Sequence, residues 1–363
     1  MRSLLILSFT TLLLLSACKQ EESFPLAQTN DWKQIIDTAV AMHEPGMILY
    51  LRKGNQKWEY LRGMAIYEKA EAHTRKNPIQ LGRLSEQFTA MALLKLVEEG
   101  KVDLNQKLAP YFPHWPLAKE ISFADLAFHK SRLKEYTEFE RASGEPWFDL
   151  YAYTQLEVIR YLLQSQQSTE EKYAASNYIL LQELIERLSG QKFHRYLEQS
   201  IYQELMLQSC FNQHYLGQAL PKHALGYAPN SQALRAHYFR NGFQIDSTLK
   251  WIQHPDEVVL LGSSDVYCSF KDFVKFEEQL FKNLRDPNSQ YQAWFNQNKQ
   301  PMCFSESEFK GQTLWDMKSM GSNHSHYVAL LPEADLVLVI LSNRSDEAIA
   351  KIGSTIMETA LKY

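Results

Sequence analysis

Chemistry in this chain has to come from a few residue types at telling spacings. Arg83 and Glu86 stand three apart at the head of the apolar run Gln87–Val97. On a helix that spacing puts both on one face, where they can pair. A glutamate suits a helix N-terminus; an arginine there needs a partner. Two expectations follow: the pair neutralises itself, or Arg83 binds an anionic ligand such as a peptide or sugar-acid carboxylate. Serine with lysine three residues on, the pairing that acyl transfer through a serine ester can use, occurs at Ser131, Ser189, Ser247 and Ser307. None of these opens an apolar helix. Ser85 is two residues from Arg83, about 200° round a helix, and points away from it. His324 and His326 share one face of a strand, but no third ligand accompanies them, so they read as solvent-facing or packing histidines. Cys210, Cys268 and Cys303 form no CxxC set. One disulfide is open to them, its pairing undecided. No metal or other cofactor is expected.

The elements that must position these groups follow from the rest of the chain. Its 363 residues suffice for one large domain or two ordinary ones. With 45% apolar and 22% charged residues it is neither disordered nor collagen-like, and a net charge of -4 gives no case for nucleic acid. Glycine is scarce: 14 residues, against about 7% in an average chain. Residues 4–15 are an apolar run too short to span a bilayer, ending at Leu15-Ser16-Ala17-Cys18. An amphipathic helix is expected over 31–43, with Trp32, Ile35, Ile36, Ala39 and Val40 buried. Strands are expected at 46–52 and 56–62, and again at 324–331 and 335–342, with a closing helix from Asp346. Helices are expected at 86–99 (Phe88, Met91, Leu94 and Val97 on one face), 152–164, 176–188, 191–203 and 269–281. Strand-rich ends around a helical middle imply a sheet assembled from both termini, with a helical subdomain of about 84–260 inserted in it.

Six segments then carry a resemblance, in order. They are LGRLSEQFTAMALLKLVEEGKVDLNQKLAPYFP (81–113), ISFADLAFHKSRLKEY (121–136), KYAASNYILLQELIERLSG (172–190), Gly226-Tyr227-Ala228, Val266-Tyr267-Cys268-Ser269 and LLPEADLVLVILSN (330–343). Together they resemble the serine beta-lactamase and penicillin-binding-protein-like hydrolases related to class C beta-lactamases. The resemblance covers roughly 31–361. It implies an α/β fold of the α+β type, the beta-lactamase/transpeptidase-like fold, over 31–363. The N-terminus resembles a lipoprotein signal: 1–17 removed, Cys18 lipidated and 18–30 a tether. Lys19-Gln20-Glu21-Glu22 is similar to the surface-export signal of Bacteroidetes lipoproteins. These features imply a bacterial envelope protein anchored to a membrane through Cys18, at the outer membrane and in reach of the cell surface.

The family's catalytic residue types are missing from this chain. In the Ser-x-x-Lys register the nucleophile position is Arg83 and the lysine position Glu86. An arginine has no nucleophilic atom and stays charged. The Tyr-x-Asn motif falls on Tyr173-Ala174-Ala175, which keeps the tyrosine and loses the asparagine at Ala175. The Lys-Thr-Gly or His-x-Gly motif falls on Met317-Lys318-Ser319, or one residue later on Lys318-Ser319-Met320. Glycines are lost at Arg132, at Ser264-Asp265 and at Ser319 or Met320, all in segments that line the family's cleft. An inactive family member is therefore expected, binding a peptidoglycan fragment, a peptide or an envelope protein, with Arg83 and Tyr173 as the ligand-binding candidates. The alternatives are an active hydrolase of the esterase, D-peptidase or beta-lactamase type with a non-standard nucleophile, and an envelope scaffold without ligand.

Overall fold

The computed structural model describes residues 31–136, 138, 155–214, 218–240, 242–254, 261–298 and 301–362. Cys18, the tether and the start of the helix expected from 152 lie outside the described residues. Helix α1 (Asp31–Ala39) leads into the hairpin β1 (Met47–Lys53) and β2 (Gln56–Arg62), and a ribbon of β3 (Met64–Ile66) and β4 (Glu71–Ala72) follows. The middle of the chain holds β5 (Pro78–Gln80), α2 (Glu86–Glu98), α3 (Phe123–Ala127), α4 (Gln155–Gln164), α5 (Ser176–Ser189) and α6 (Phe193–Leu197). After these come β6 (Cys210–Asn212), β7 (Tyr227–Pro229), α7 (Gln232–Arg240), β8 (Trp251–Gln253), β9 (Val266–Ser269), α8 (Phe270–Arg285) and α9 (Gln290–Asn298). The chain returns through β10 (Ser305–Phe309), β11 (Gln312–Met320), β12 (Ser325–Leu331) and β13 (Leu336–Ser342), and closes with α10 (Ile349–Leu361).

The main sheet has the order β10-β11-β12-β13-β1-β2 and is antiparallel throughout. Strands from both ends of the chain meet where β1 pairs β13, Met47 opposite Ser342. Alternation along β13 divides the core. Leu336, Leu338 and Ile340 face α1 and α10 with Trp32, Ile36, Val40 and Met357. Val337, Val339 and Leu341 face the helical region. A strand buried on both faces reads as an unbroken apolar run, as LVLVILS does.

Helix α2 departs from expectation. It is buried on nearly every side from Glu86 to Leu94, and Val97, expected in its apolar face, is only half-buried. It is the central post of the helical region: Phe88 stacks on Phe276 of α8 with ring centroids 4.0 Å apart. The helix expected over 191–203 is α6 running into a π-helical turn at Glu198–Tyr202. The hairpin β10–β11 and the small sheet β5-β9-β6 are additions the sequence pattern did not show. Cys210 and Cys268 lie opposite each other on β6 and β9 and form a disulfide, while Cys303 is free and buried.

Candidate functional site

The site lies where β11 passes the one-turn helix Gly82–Ser85 that feeds α2. Arg83 projects from that turn and Glu86 is the first residue of α2. Their side chains pair, Nε to Oε2 at 3.5 Å. The Arg83 guanidinium lies over the Tyr173 ring, its Cζ 3.4 Å from the centroid. The Tyr173 hydroxyl donates to Glu86 Oε1 at 2.8 Å, and Ser263 donates to the same oxygen at 3.2 Å. His129 Nε2 stands 3.7 Å from Glu86 Oε2. The structure therefore brings Arg83, Glu86 and Tyr173 together and adds His129 and Ser263.

Burial and neighbouring charges act on Arg83, Tyr173 and Glu135. Burial is the largest single influence on Arg83 and opposes its charge, but Glu86, Tyr173 and Cys303 together outweigh it and keep the guanidinium above its ordinary value. Burial and then the Glu86 carboxylate push the Tyr173 hydroxyl well above the usual phenol range, although the residue as a whole is 38% exposed. Glu135 accepts the Ala175 N–H at 2.6 Å. Burial pushes its carboxyl up to about 7, against the pull of that hydrogen bond and with a further push from Glu86. Three buried polar atoms of the cluster, Arg83 Nε, Glu86 Oε2 and His129 Nε2, have no hydrogen-bond partner among the described residues.

The third motif needs a new register. Ser319, buried, faces the turn and its Oγ accepts the Arg83 N–H at 2.8 Å. Lys318 is exposed on the opposite side of the strand, because successive residues alternate. The inward residue, spacer and glycine are therefore Ser319-Met320-Gly321. The glycine counted as lost from this motif is present at Gly321, one residue beyond the later of the two counts. Arg132, expected to stand in the place of a family glycine, has the left-handed φ of 58° that glycine favours.

Other serines are placed elsewhere. Ser85 Oγ accepts the Val266 N–H at 3.1 Å, away from Arg83. Ser131 is buried against Asn177, and Ser247 and Ser307 are exposed. Of the two readings of His324 and His326, packing is the one realised: both are buried, with rings 4.9 Å apart. Sequence reasoning singled out neither His129, Glu135, Ser263 nor His324 for the site. His129 and Glu135 lie inside a segment that carries the resemblance, which was the available signal.

A sheet built from both termini, a helical region facing it and a site at the start of α2 define the fold class of the penicillin-interacting serine hydrolases. The chain belongs to the beta-lactamase family, whose match covers residues 32–357. It is 24% identical over 233 residues to the PbpX protein of Bacillus subtilis (strain 168), covering 63% of this chain and 54% of that one. It is 23% identical over 356 residues to Protein flp of Staphylococcus aureus (strain MRSA252), covering 89% and 65%. The chain thus spans between half and two thirds of the length of these curated relatives. Among solved structures, D-amino acid amidase from Ochrobactrum anthropi SV3 superposes with a TM-score of 0.74 at 19% identity, covering 92% of this chain and 98% of that one. Class C beta lactamase from Rhodobacter sphaeroides gives 0.67 at 16%, covering 92% and 100%. At these identities the structural likeness establishes the fold alone.

Proposed function

We propose that this chain is a catalytically inactive member of its family that uses the remodelled cleft to bind a ligand at the cell envelope, where a lipid on Cys18 anchors it. One observation carries the reading: the nucleophile position holds a guanidinium, paired with Glu86 and laid on Tyr173. No atom there can form an acyl ester. Losing a comparable nucleophile costs on the order of 10^6 in rate in a serine protease. Arg83 Nε, Glu86 Oε2 and His129 Nε2 meet only as ion-pair contacts of 3.5 and 3.7 Å and make no hydrogen bond, which leaves hydrogen-bonding capacity for a polar ligand. A peptidoglycan-derived peptide or an envelope peptide, with its carboxylate toward Arg83, suits them. Treatment with a fluorescent penicillin and with a fluorophosphonate, read by intact mass, is expected to leave the protein unmodified. A stoichiometric adduct would overturn the inactive reading. A thermal-shift screen with muropeptides is expected to give a hit that Arg83→Ser abolishes; no hit with any muropeptide would favour a scaffold.

A second reading rests on one arrangement. Ser319 Oγ lies 3.3 Å from His324 Nε2, and His324 Nδ1 lies 2.7 Å from Asn323 Oδ1. That is the order of a nucleophile, base and orienting group. Ser319 is only 1% exposed and its hydroxyl is engaged by the Arg83 N–H, which is why the inactive reading is preferred. A fluorophosphonate adduct that Ser319→Ala removes would reverse that preference.

A further inference from the structure

The site hangs from the small sheet β5-β9-β6. Strand β5 ends at Gln80, and the turn Gly82–Ser85 that carries Arg83 follows almost at once. β9 is the central strand, with Cys268 opposite Ile79 of β5 on one side and Cys210 of β6 on the other. At its first residue, Val266 O accepts the Leu81 N–H at 2.9 Å, and the Val266 N–H donates to Ser85 Oγ at 3.1 Å. Just before β9, Ser263 donates to Glu86. The helical region holds one side of the loop that presents Ser263. Thr89 Oγ1 donates to Gly262 O at 2.7 Å, and Gln155 Oε1 accepts the Leu261 N–H at 3.1 Å. β6 holds the other side. Asn212 Nδ2 donates to Asp265 Oδ2 at 2.6 Å, and the Gln213 N–H donates to Asp265 O at 2.8 Å. The other Asp265 carboxylate oxygen accepts the Gly262 N–H at 2.8 Å. Asn212, Asp265, Ser263, Ser85 and Glu86 are all buried, so solvent does not make up a bond lost from this chain. β6 has only three residues and is an edge of its sheet. The Cys210–Cys268 bridge clamps it, close to Asn212.

We propose that the Cys210–Cys268 bridge is a redox switch for the cleft: oxidised, it holds Ser263 and the Arg83 turn in place, and reduced by a dithiol it frees β6 and loosens both. As control of ligand binding, this rests on the reading of the cleft as a ligand site. The two sulfurs differ in access. Cys210 is half-buried and lines a cavity of about 610 Å³ beside His194, Met206 and Phe211, whereas Cys268 is fully buried. A thiolate entering that cavity attacks Cys210 Sγ. The S–S bond breaks, and Cys268 leaves with the electron pair and takes up a proton. The second thiol of the dithiol then attacks the mixed disulfide and releases Cys210 as a thiol. The bridge has gained two electrons and two protons, and the dithiol has become a disulfide. What remains on β6 is a three-residue ladder at a sheet edge, the kind of element that opens at low free energy. Each opening takes Asn212 and the Gln213 N–H from Asp265. The loop then loses its hold on the β6 side, Ser263 is no longer fixed on Glu86, and Val266 is no longer fixed against Leu81 and Ser85.

The test is hydrogen–deuterium exchange, read by mass spectrometry on the full chain before and after dithiothreitol. Intact mass reads the two hydrogens gained on reduction. Exchange at the Leu81 and Val266 amides is expected to rise severalfold in the reduced protein, while the main-sheet strands β12 and β13 exchange as before. Asn212→Ala keeps the bridge and removes its tie to Asp265. It is expected to give the same rise at Leu81 and Val266 without reductant. Cys210→Ser/Cys268→Ser is expected to show the rise and no further response to dithiothreitol. A bridge that dithiothreitol leaves intact in the folded protein overturns the proposal. So does a rise confined to β6, which makes the bridge a local clamp only, or an equal rise in β12 and β13, which makes it a general stabiliser. Exchange in Asn212→Ala that matches the parent at Leu81 and Val266 overturns it as well. No ligand enters these measurements, so their failure is separate from that of the ligand-binding reading, which the muropeptide screen decides.

Discussion

At the residue scale the site is a set of paired charges, Arg83 with Glu86, at the start of α2. Arg83 and Glu86 neutralise each other, and Tyr173 serves both, through its face and its hydroxyl. The pairing was legible from the three-residue spacing alone. The contribution of Tyr173 was legible only as a surviving motif residue, because a ring 87 residues away in sequence carries no local signal. Acids buried behind the site make a pH prediction. Burial pushes the Glu277 carboxyl from 4.5 up to about 8, with Gln87 pulling it down. The fold therefore holds a proton that the unfolded chain releases near 4.5. Stability is greatest below that value and falls as pH rises through the window to about 8, by at most about 1.4 kcal/mol per pH unit for one group. Glu135, pushed to about 7, adds to the same slope. Glu277→Gln is expected to flatten the fall in urea-unfolding free energy between pH 5 and 8.5. An unchanged slope would show that Glu277 does not titrate in this range.

Among the elements, α2 carries the most. It positions Glu86 at its first residue and packs Phe88 between Phe276, Phe273 and Tyr202. Phe88→Ala should cost about 3–5 kcal/mol, seen as a lower urea midpoint at unchanged m-value. The disulfide between β6 and β9 closes a loop of 58 residues, which chain entropy values at about 4 kcal/mol. Cys268→Ser is expected to lower the melting temperature, and dithiothreitol to lower that of the parent but not of the variant. Helices and the two terminal hairpins were readable because their apolar periods are long and bounded by Gly100, Gly190 and the turn at Pro332-Glu333-Ala334. Strands β5, β6 and β9, of three or four residues, are too short to show a period. β11 alternates, yet its register against Arg83 is set by the turn Gly321–His324, whose length strand pattern does not fix.

For the whole molecule, the family fold persists around two cores that share one sheet, each with its own helices. Six weak segments in order were enough to read that architecture, since they mark the buried residues both cores need. The site was readable as a list of candidate residues and not as an arrangement, because its parts come from Gly82–Glu86, the 129–135 loop, Tyr173, Ser263 and β11. This dispersion bears on any attempt to build a family nucleophile into the site. Gly82, at φ +51, has no room for a side chain against His324 and Ser319, and the next backbone N–H, that of Arg83, is already taken by Ser319. Backbone N–H donors are what a tetrahedral oxyanion needs. Reinstating a serine and a lysine, as in Arg83→Ser/Glu86→Lys, is therefore expected to leave the protein unlabelled by fluorescent penicillin. Ser319 and His324 thus act as a latch on this turn, and a reactive serine at position 83 needs that latch opened as well as a nucleophile supplied.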